Sequence, residues 1–166
     1  MSNQVRSATW IKKFFPIRTT NGGEPLIEEQ PVAASQTITR GDPVTISNGE
    51  LSLGAANSGA IYGVSADNIT TTASDEKTLC LVWVATRDTI FSGIASGKTE
   101  DIYDEATCDI AVSSGNWTLN IGATTEEVAR IKQHVKGDSV TDDSYPGRLE
   151  FYWERSQYDN LVAAKG

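Results

Sequence analysis

The sequence is poor in the residues that carry chemistry. Its 166 residues include one histidine, one methionine and two cysteines. With His134 alone, a His-based metal site would have to recruit distant carboxylates, and no spaced pair supports one. A Ser-His-acid triad would likewise rest on His134 alone, and the Gly-x-Ser-x-Gly elbow is missing. Cys80 and Cys108 stand apart in apolar, strand-like surroundings, so they are expected as buried thiols and not as a disulfide or a metal clip. No apolar run approaches the length needed to cross a bilayer, and the opening MSNQVRSATWIKK lacks the apolar stretch of a signal peptide. The expectation is a chain that folds in the cytoplasm of whatever makes it, with no membrane partner.

Positive charge is also scarce. The formal net charge is −8, and it is unevenly spread: the first 23 residues hold Arg6, Lys12, Lys13 and Arg18 with no acid, while the remainder has 10 bases against 22 acids. Such a body repels nucleic acid, so no nucleic-acid partner is expected. The acids show no site pattern. Asp101, Asp104, Glu105, Asp142 and Asp143 lack the D-x-D-x-D-G spacing of a calcium loop and fall in polar stretches, where carboxylates are simply hydrated. GIASGKT (Gly93 to Thr99) looks like a phosphate loop but has only Ile94, Ala95 and Ser96 between its glycines. No helical pattern follows it, so it is read as a Gly-rich loop after a strand at Thr89 to Phe91. No catalytic residue, cofactor or metal is expected, and the chain is not read as an enzyme.

What the sequence does hold is strand and turn signal. From Thr37 to Asp67, Val44 and Ile46 alternate with Thr45 and Ser47, Asn48-Gly49 reverses the chain, and Leu51 and Leu53 continue the apolar face. Asn-Gly between alternating apolar residues is the strongest short hairpin signal, because a type I′ turn needs positive φ at both central positions. A second hairpin runs through Cys108, Ile110 and Val112, turns at Ser113 to Asn116, and returns through Trp117, Leu119 and Ile121. TLCLVWVAT (Thr78 to Thr86) is the most apolar run and predicts a central strand buried on both faces, with Trp83 in the core. Leu26 and Ile27 predict an edge strand. Thr124 to Val135 fits a capped helix and an alternating strand equally well. In the last strand, Phe151 and Trp153 share one face and Tyr152 takes the other, as in a strand that is internal or at an interface. Residues 156–166 are expected as a loose tail or a short helix.

The amino-terminal stretch stands out. Trp10, Ile11, Phe14 and Phe15 put too much apolar surface close together for a disordered tail. It is read either as a strand of the same domain or as an arm, residues 1–23, that lies on another subunit.

The phrases RGDPVTISNGELSLGAANSGAIYGVSADNIT (Arg40 to Thr70), AVSSGNWTLNIG (Ala111 to Gly122) with its Gly-x-Trp, and GRLEFYW (Gly147 to Trp153), with the loop after Phe91, give the chain a familiar look. It resembles the capsid decoration, or cement, proteins of tailed bacteriophages over about residues 24–155. The resemblance implies an all-β fold: a compact antiparallel β-barrel, or a jelly-roll or β-tulip-like sandwich, with an extended N-terminal arm. It also tips the ambiguous segment toward a strand. It further implies a structural virion protein on the capsid exterior, assembled in the host cytoplasm, whose partners are the major capsid protein and itself, as a homotrimer in preference to a dimer. Under that reading Trp10, Ile11, Lys12, Lys13, Phe14, Phe15, Tyr152 and Trp153 form the capsid or subunit interface, and removing residues 1–18 leaves a folded body that no longer decorates heads. A carbohydrate-binding β-sandwich, also acidic and tryptophan-rich, is the alternative, and a small all-β enzyme is the third reading.

Overall fold

The computed structural model describes residues 12–74, 78–97, 105–135 and 147–165. The chain is all-β, with antiparallel pairing throughout its named strands and one short helix. The first half contributes β1 (Phe15–Thr19), β2 (Ile27–Pro31), β3 (Thr37–Ile38), β4 (Pro43–Ser47), β5 (Glu50–Leu53), β6 (Gly63–Ser65) and β7 (Ile69–Thr70). The second contributes β8 (Leu79–Val84), β9 (Thr89–Ile94), β10 (Thr107–Ser113), β11 (Asn116–Asn120), β12 (Ala129–His134), β13 (Arg148–Trp153) and the helix α1 (Gln157–Lys165).

These strands form a six-stranded sheet in the order β1-β9-β13-β12-β10-β11, a five-stranded sheet in the order β2-β8-β6-β4-β5, and the small pair β3-β7. Both large sheets curl. In the first, Ala95 just past β9 makes a lone parallel bridge to Leu119 of β11; in the second, Val32 just past β2 bridges Leu51 of β5. Each contact is a single bridge and not a continuous ladder, so neither sheet closes into a barrel.

Each curl encloses a core. The larger holds Phe14, Phe91, Trp117, Leu119, Ile131, Phe151 and Trp153, all essentially inaccessible, and Val64 of the other sheet and Ala85 just past β8 pack into it. The smaller is built from Val44, Leu51, Tyr62, Cys80, Val82 and Val84. The two cysteines are free and buried, as expected. Burial pushes the Cys108 thiol up to about 12 and raises that of Cys80 as well.

The turn chemistry read from the sequence is realised. Asn48 and Gly49 both take positive φ, at 51° and 80°, and β4 and β5 pair on either side of them with Val44 opposite Leu53. Ser114 and Gly115 repeat the solution between β10 and β11, at 50° and 76°. The ambiguous segment resolves as a strand from Ala129. Ahead of it the buried Asp109 carboxylate accepts the backbone N–H groups of Thr125, Glu126 and Glu127 at 2.8–3.1 Å, and Glu127 has φ 50°. That local capture of three amides, with a residue in the left-handed region, holds the segment out of a helix.

Two expectations need correction, and two pairs of alternatives resolve. Of the two readings of the amino-terminal stretch, residues 12–23 take that of a strand of the same domain and not of a separate arm: β1 pairs with β9, with Phe15 opposite Ser92, and Phe14 lies in the core. The loop expected after Phe91 is instead strand as far as Ile94, and Gly93 is what allows it. A Cβ at Gly93 would lie 2.7 Å from the Phe14 ring, so the missing side chain is the space the ring occupies. β8 is not buried on both faces. Leu79 and Leu81 are 47% and 40% exposed while Cys80, Val82 and Val84 face inward, because only part of the outer face is covered by the other sheet. Of the two readings of the carboxyl end, the short helix is the one found. α1 docks on the body: Gln157 N donates to Ile61 O at 2.9 Å, the Gln157 amide bonds Ile46 N–H and C=O, and Tyr158 packs on Tyr62.

Candidate functional site

Of the eight residues predicted as one interface, the six that are described do not share one surface. Trp10 and Ile11 lie outside the described residues. Lys12 is exposed, and its carbonyl accepts Trp117 N–H at 2.7 Å. Lys13 is largely buried against Asp42 and bonds Thr39 Oγ1 at 2.8 Å. Phe14 and Trp153 have no exposed surface; their rings cross edge to face at 5.4 Å, with Phe151 completing the cluster. Phe15 is half-buried against Trp83, over which Arg40 also sits at 5.2 Å. Phe14 and Trp153 therefore leave the interface set, because an aromatic side chain with no accessible surface has nothing to offer a partner while the core is intact. The Asp101, Asp104, Asp142 and Asp143 carboxylates also lie outside the described residues.

Tyr152 stands on the opposite, outer face of β13, in a polar field. Arg18 grips Glu150 with two bonds, 3.1 and 2.7 Å, and Gln133 adds a third at 2.9 Å. Arg130 grips Glu154 at 2.8 and 2.9 Å, and Tyr152 reaches Glu105 at 3.3 Å. The Arg18 and Arg130 hydrogen bonds hold the Glu150 and Glu154 carboxyls below the usual carboxylate range. Burial, followed by the charges of Glu105 and Glu154, pushes the Tyr152 phenol up. The cations here are matched by acids, which makes a self-satisfied surface and not an open anion site.

Two features that the sequence did not reveal remain. The first is an apolar strip along the outer face of β2 and β8, where Ile27, Leu79 and Leu81 are 48%, 47% and 40% exposed and neighbouring Leu26 is 41% exposed. It runs beside β2, which among the described residues has a strand neighbour on one side only. The second is a groove of about 440 Å³ between β2, the Asn48-Gly49 turn and α1. At its base the Tyr62 hydroxyl donates to Glu28 Oε2 at 2.8 Å and accepts from Gln30 Nε2 at 3.0 Å. The Tyr158 ring crosses that of Tyr62 at 6.0 Å and 71°. Alternation within IEEQP put Glu28 and Gln30 on one face of β2, which was the only sequence signal for this site. Tyr62 and Tyr158 come from distant parts of the chain.

No family model matches this chain, and no curated protein matches it in sequence. Among the described residues there is no cluster of three or more His, Cys, Asp or Glu side chains placed to hold a metal ion, and no helix long and apolar enough to cross a membrane.

Proposed function

We propose that the chain is a structural virion protein that binds the outer surface of a phage head and clamps neighbouring capsomers, without catalysing a reaction. It does so as an oligomer, a homotrimer in preference to a dimer, with the major capsid protein as its other partner. The observation that carries the reading is the exposed strip of Leu26, Ile27, Leu79 and Leu81 beside the free edge of β2. Apolar side chains next to unpaired backbone donors and acceptors invite strand pairing and apolar contact, which is what a clamp between protein surfaces uses. The resemblance in the Arg40 to Thr70, Ala111 to Gly122 and Gly147 to Trp153 phrases supports it from the sequence side. The docking surface is reassigned accordingly: Lys12, Phe15, Tyr152 and the β2-β8 strip remain available to a partner, and Phe14 and Trp153 do not.

The test is co-sedimentation of the purified chain with expanded heads of the phage whose genome carries its coding sequence, beside a Leu79→Lys, Leu81→Glu variant. Binding by the wild type and its loss in the variant is the expected result. A folded wild type that leaves the heads bare at micromolar concentration overturns the reading.

The carbohydrate-binding reading has one observation in its favour, the groove of Gln30, Asn48 and Tyr158, which offers amides and a ring edge to a sugar. Binding of the isolated chain to a glycan array separates it from the head-binding reading.

A further inference from the structure

The five-stranded sheet fails to close at one place, and the groove lies there. β2 and β5 meet at Val32 and Leu51 and diverge toward Glu28 on one side and the Asn48-Gly49 turn on the other, with Tyr62 at the base and α1 as the remaining wall. Glu28 is half-buried in this opening. Its partners include the Tyr62 hydroxyl at 2.8 Å, the Gln30 amide at 3.4 Å and the Tyr158 phenol, all neutral. No cationic side chain among the described residues comes within ion-pair distance of it.

Asp109 is held by backbone amides, but three other held carboxylates have cations of their own. Asp42 has Lys13, Glu150 has Arg18 and Glu154 has Arg130. Glu28 has no such cation among the described residues, and a carboxylate partly withdrawn from water attracts a cation more strongly than one on the surface. The partly exposed Tyr158 ring stands beside it, and a ring face favours a cation. Burial raises both phenols first, and the hydrogen bond and charge of Glu28 raise them further, so both rings stay neutral and protonated. Leu161 and Val162 of α1, 43% and 52% exposed, form an apolar lip at the mouth. A neutral sugar is less well served, because Tyr62 is only 2% exposed and offers no open face for stacking.

We propose that this groove receives a lysine or arginine side chain of a partner protein, with Glu28 as its counter-ion, Tyr158 alongside the charge and Leu161 and Val162 against the methylene stem. The net charge of −8 supplies the long-range attraction of the same sign. Naming the head shell as that partner rests on the proposed virion role; the chemistry of the groove does not.

The experiment uses the full chain and two-dimensional amide NMR. It is titrated to millimolar concentration with N-acetyl-lysine amide, with N-acetyl-arginine amide, with the uncharged N-acetyl-norleucine amide, and with cellobiose. Saturable shifts at Gln30, Asn48 and Gly49 are expected with the two cationic probes and not with norleucine. They should weaken at least fivefold in Glu28→Gln, which keeps the shape and one acceptor, and in 0.5 M salt. Tyr158→Leu, which removes the ring but keeps an apolar side chain against the smaller core, provides an independent variant and should weaken them too. Equal response to norleucine, no saturation, or unchanged binding in both variants overturns the proposal. Cellobiose binding in place of the cations overturns it in favour of a sugar site. Heads that bind a chain unable to bind either cationic probe would overturn the groove assignment alone; cation binding by a chain that ignores heads would uphold the groove and overturn only the virion role.

Discussion

The indole N–H of Trp117 donates to Asp42 Oδ1 at 3.0 Å, tying β11 of one sheet to the turn that launches β4 of the other. The same carboxylate holds Lys13, and Thr39 donates to it through both its N–H at 2.8 Å and its hydroxyl at 2.9 Å. Asp42 is 4% exposed, so its removal leaves a largely buried ammonium and a buried indole N–H without their acceptor. Asp42→Ala is expected to cost about 3–5 kcal/mol, the range for breaking one side of a buried pair. Urea unfolding monitored by tryptophan fluorescence reads it; a loss below about 1 kcal/mol would contradict this account.

Two tryptophans give a sharper comparison. The Trp153 N–H is buried with no acceptor among the described residues, whereas that of Trp117 is satisfied. Changing either to Phe removes similar volume. Trp117→Phe also strips a donor from Asp42, while Trp153→Phe removes an unpaired donor whose burial already costs about 1–3 kcal/mol. Trp117→Phe is therefore expected to be the more destabilising of the two by about 1–3 kcal/mol, and the reverse order in denaturant midpoints would sink the argument.

The amino-terminal segment is a structural member of the body. Phe14 N donates to Gly41 O at 3.0 Å, its ring lies in the gap left by Gly93, and β1 completes the sheet edge. Deleting residues 1–18 is now expected to prevent folding instead of leaving a competent body, and Phe14→Ala alone should cost about 3–5 kcal/mol. Gly93→Ala forces a Cβ into the ring and should cost about 1–3 kcal/mol by overpacking. Phe14→Leu in the same chain should recover part of that loss, so the double-mutant cycle is non-additive; strict additivity would mean that the two sites do not touch.

Much of the fold was legible because its turns dictate their own residues. Asn48-Gly49 and Ser114-Gly115 mark positive φ, and alternation on either side fixes which face is buried. What failed was information that lies between elements. Adjacent Phe14 and Phe15 have no periodicity to show that one enters the core and the other the sheet junction, and the space reserved by Gly93 is 79 positions away in the chain. An unbroken apolar run such as Leu79 to Val84 does not distinguish burial on both faces from an exposed strip. The groove was hidden for the same reason, since Glu28, Asn48, Tyr62 and Tyr158 meet only after the sheet curls and the helix docks.

The outer face of the six-stranded sheet predicts an acid dependence. Glu150 and Glu154 have folded pKa values lowered from 4.5, chiefly by the hydrogen bonds from Arg18 and Arg130. A depressed folded value means that the unfolded chain takes up protons first as the medium is acidified. The contribution is fully present above about pH 4.5 and is lost as pH falls through the folded values. Partial exposure of the arginines limits each pair to on the order of 1 kcal/mol or less. Unfolding midpoints measured from pH 6 to pH 3 should fall less steeply for Glu150→Gln, Glu154→Gln than for the wild type; identical slopes would remove these pairs from the acid response.

The last prediction joins the helix to the groove. Ser156 is buried, and its Oγ accepts the Asp159 N–H at 3.0 Å, which makes it the N-cap of α1. Ser156→Ala should cost about 1 kcal/mol, and because α1 is a short helix of nine residues with few docking contacts, the loss should appear as local opening before global unfolding. Faster hydrogen exchange in α1 with nearly unchanged exchange in β13 is the expected signature. Tyr158, Leu161 and Val162 leave the groove whenever the helix opens, so the apparent affinity for a lysine amide should fall by the fraction of molecules in which the helix is closed. An exchange change in α1 without any change in lysine-amide affinity would show that the helix is not a wall of the binding site, and would return the groove to β2 and the Asn48-Gly49 turn alone.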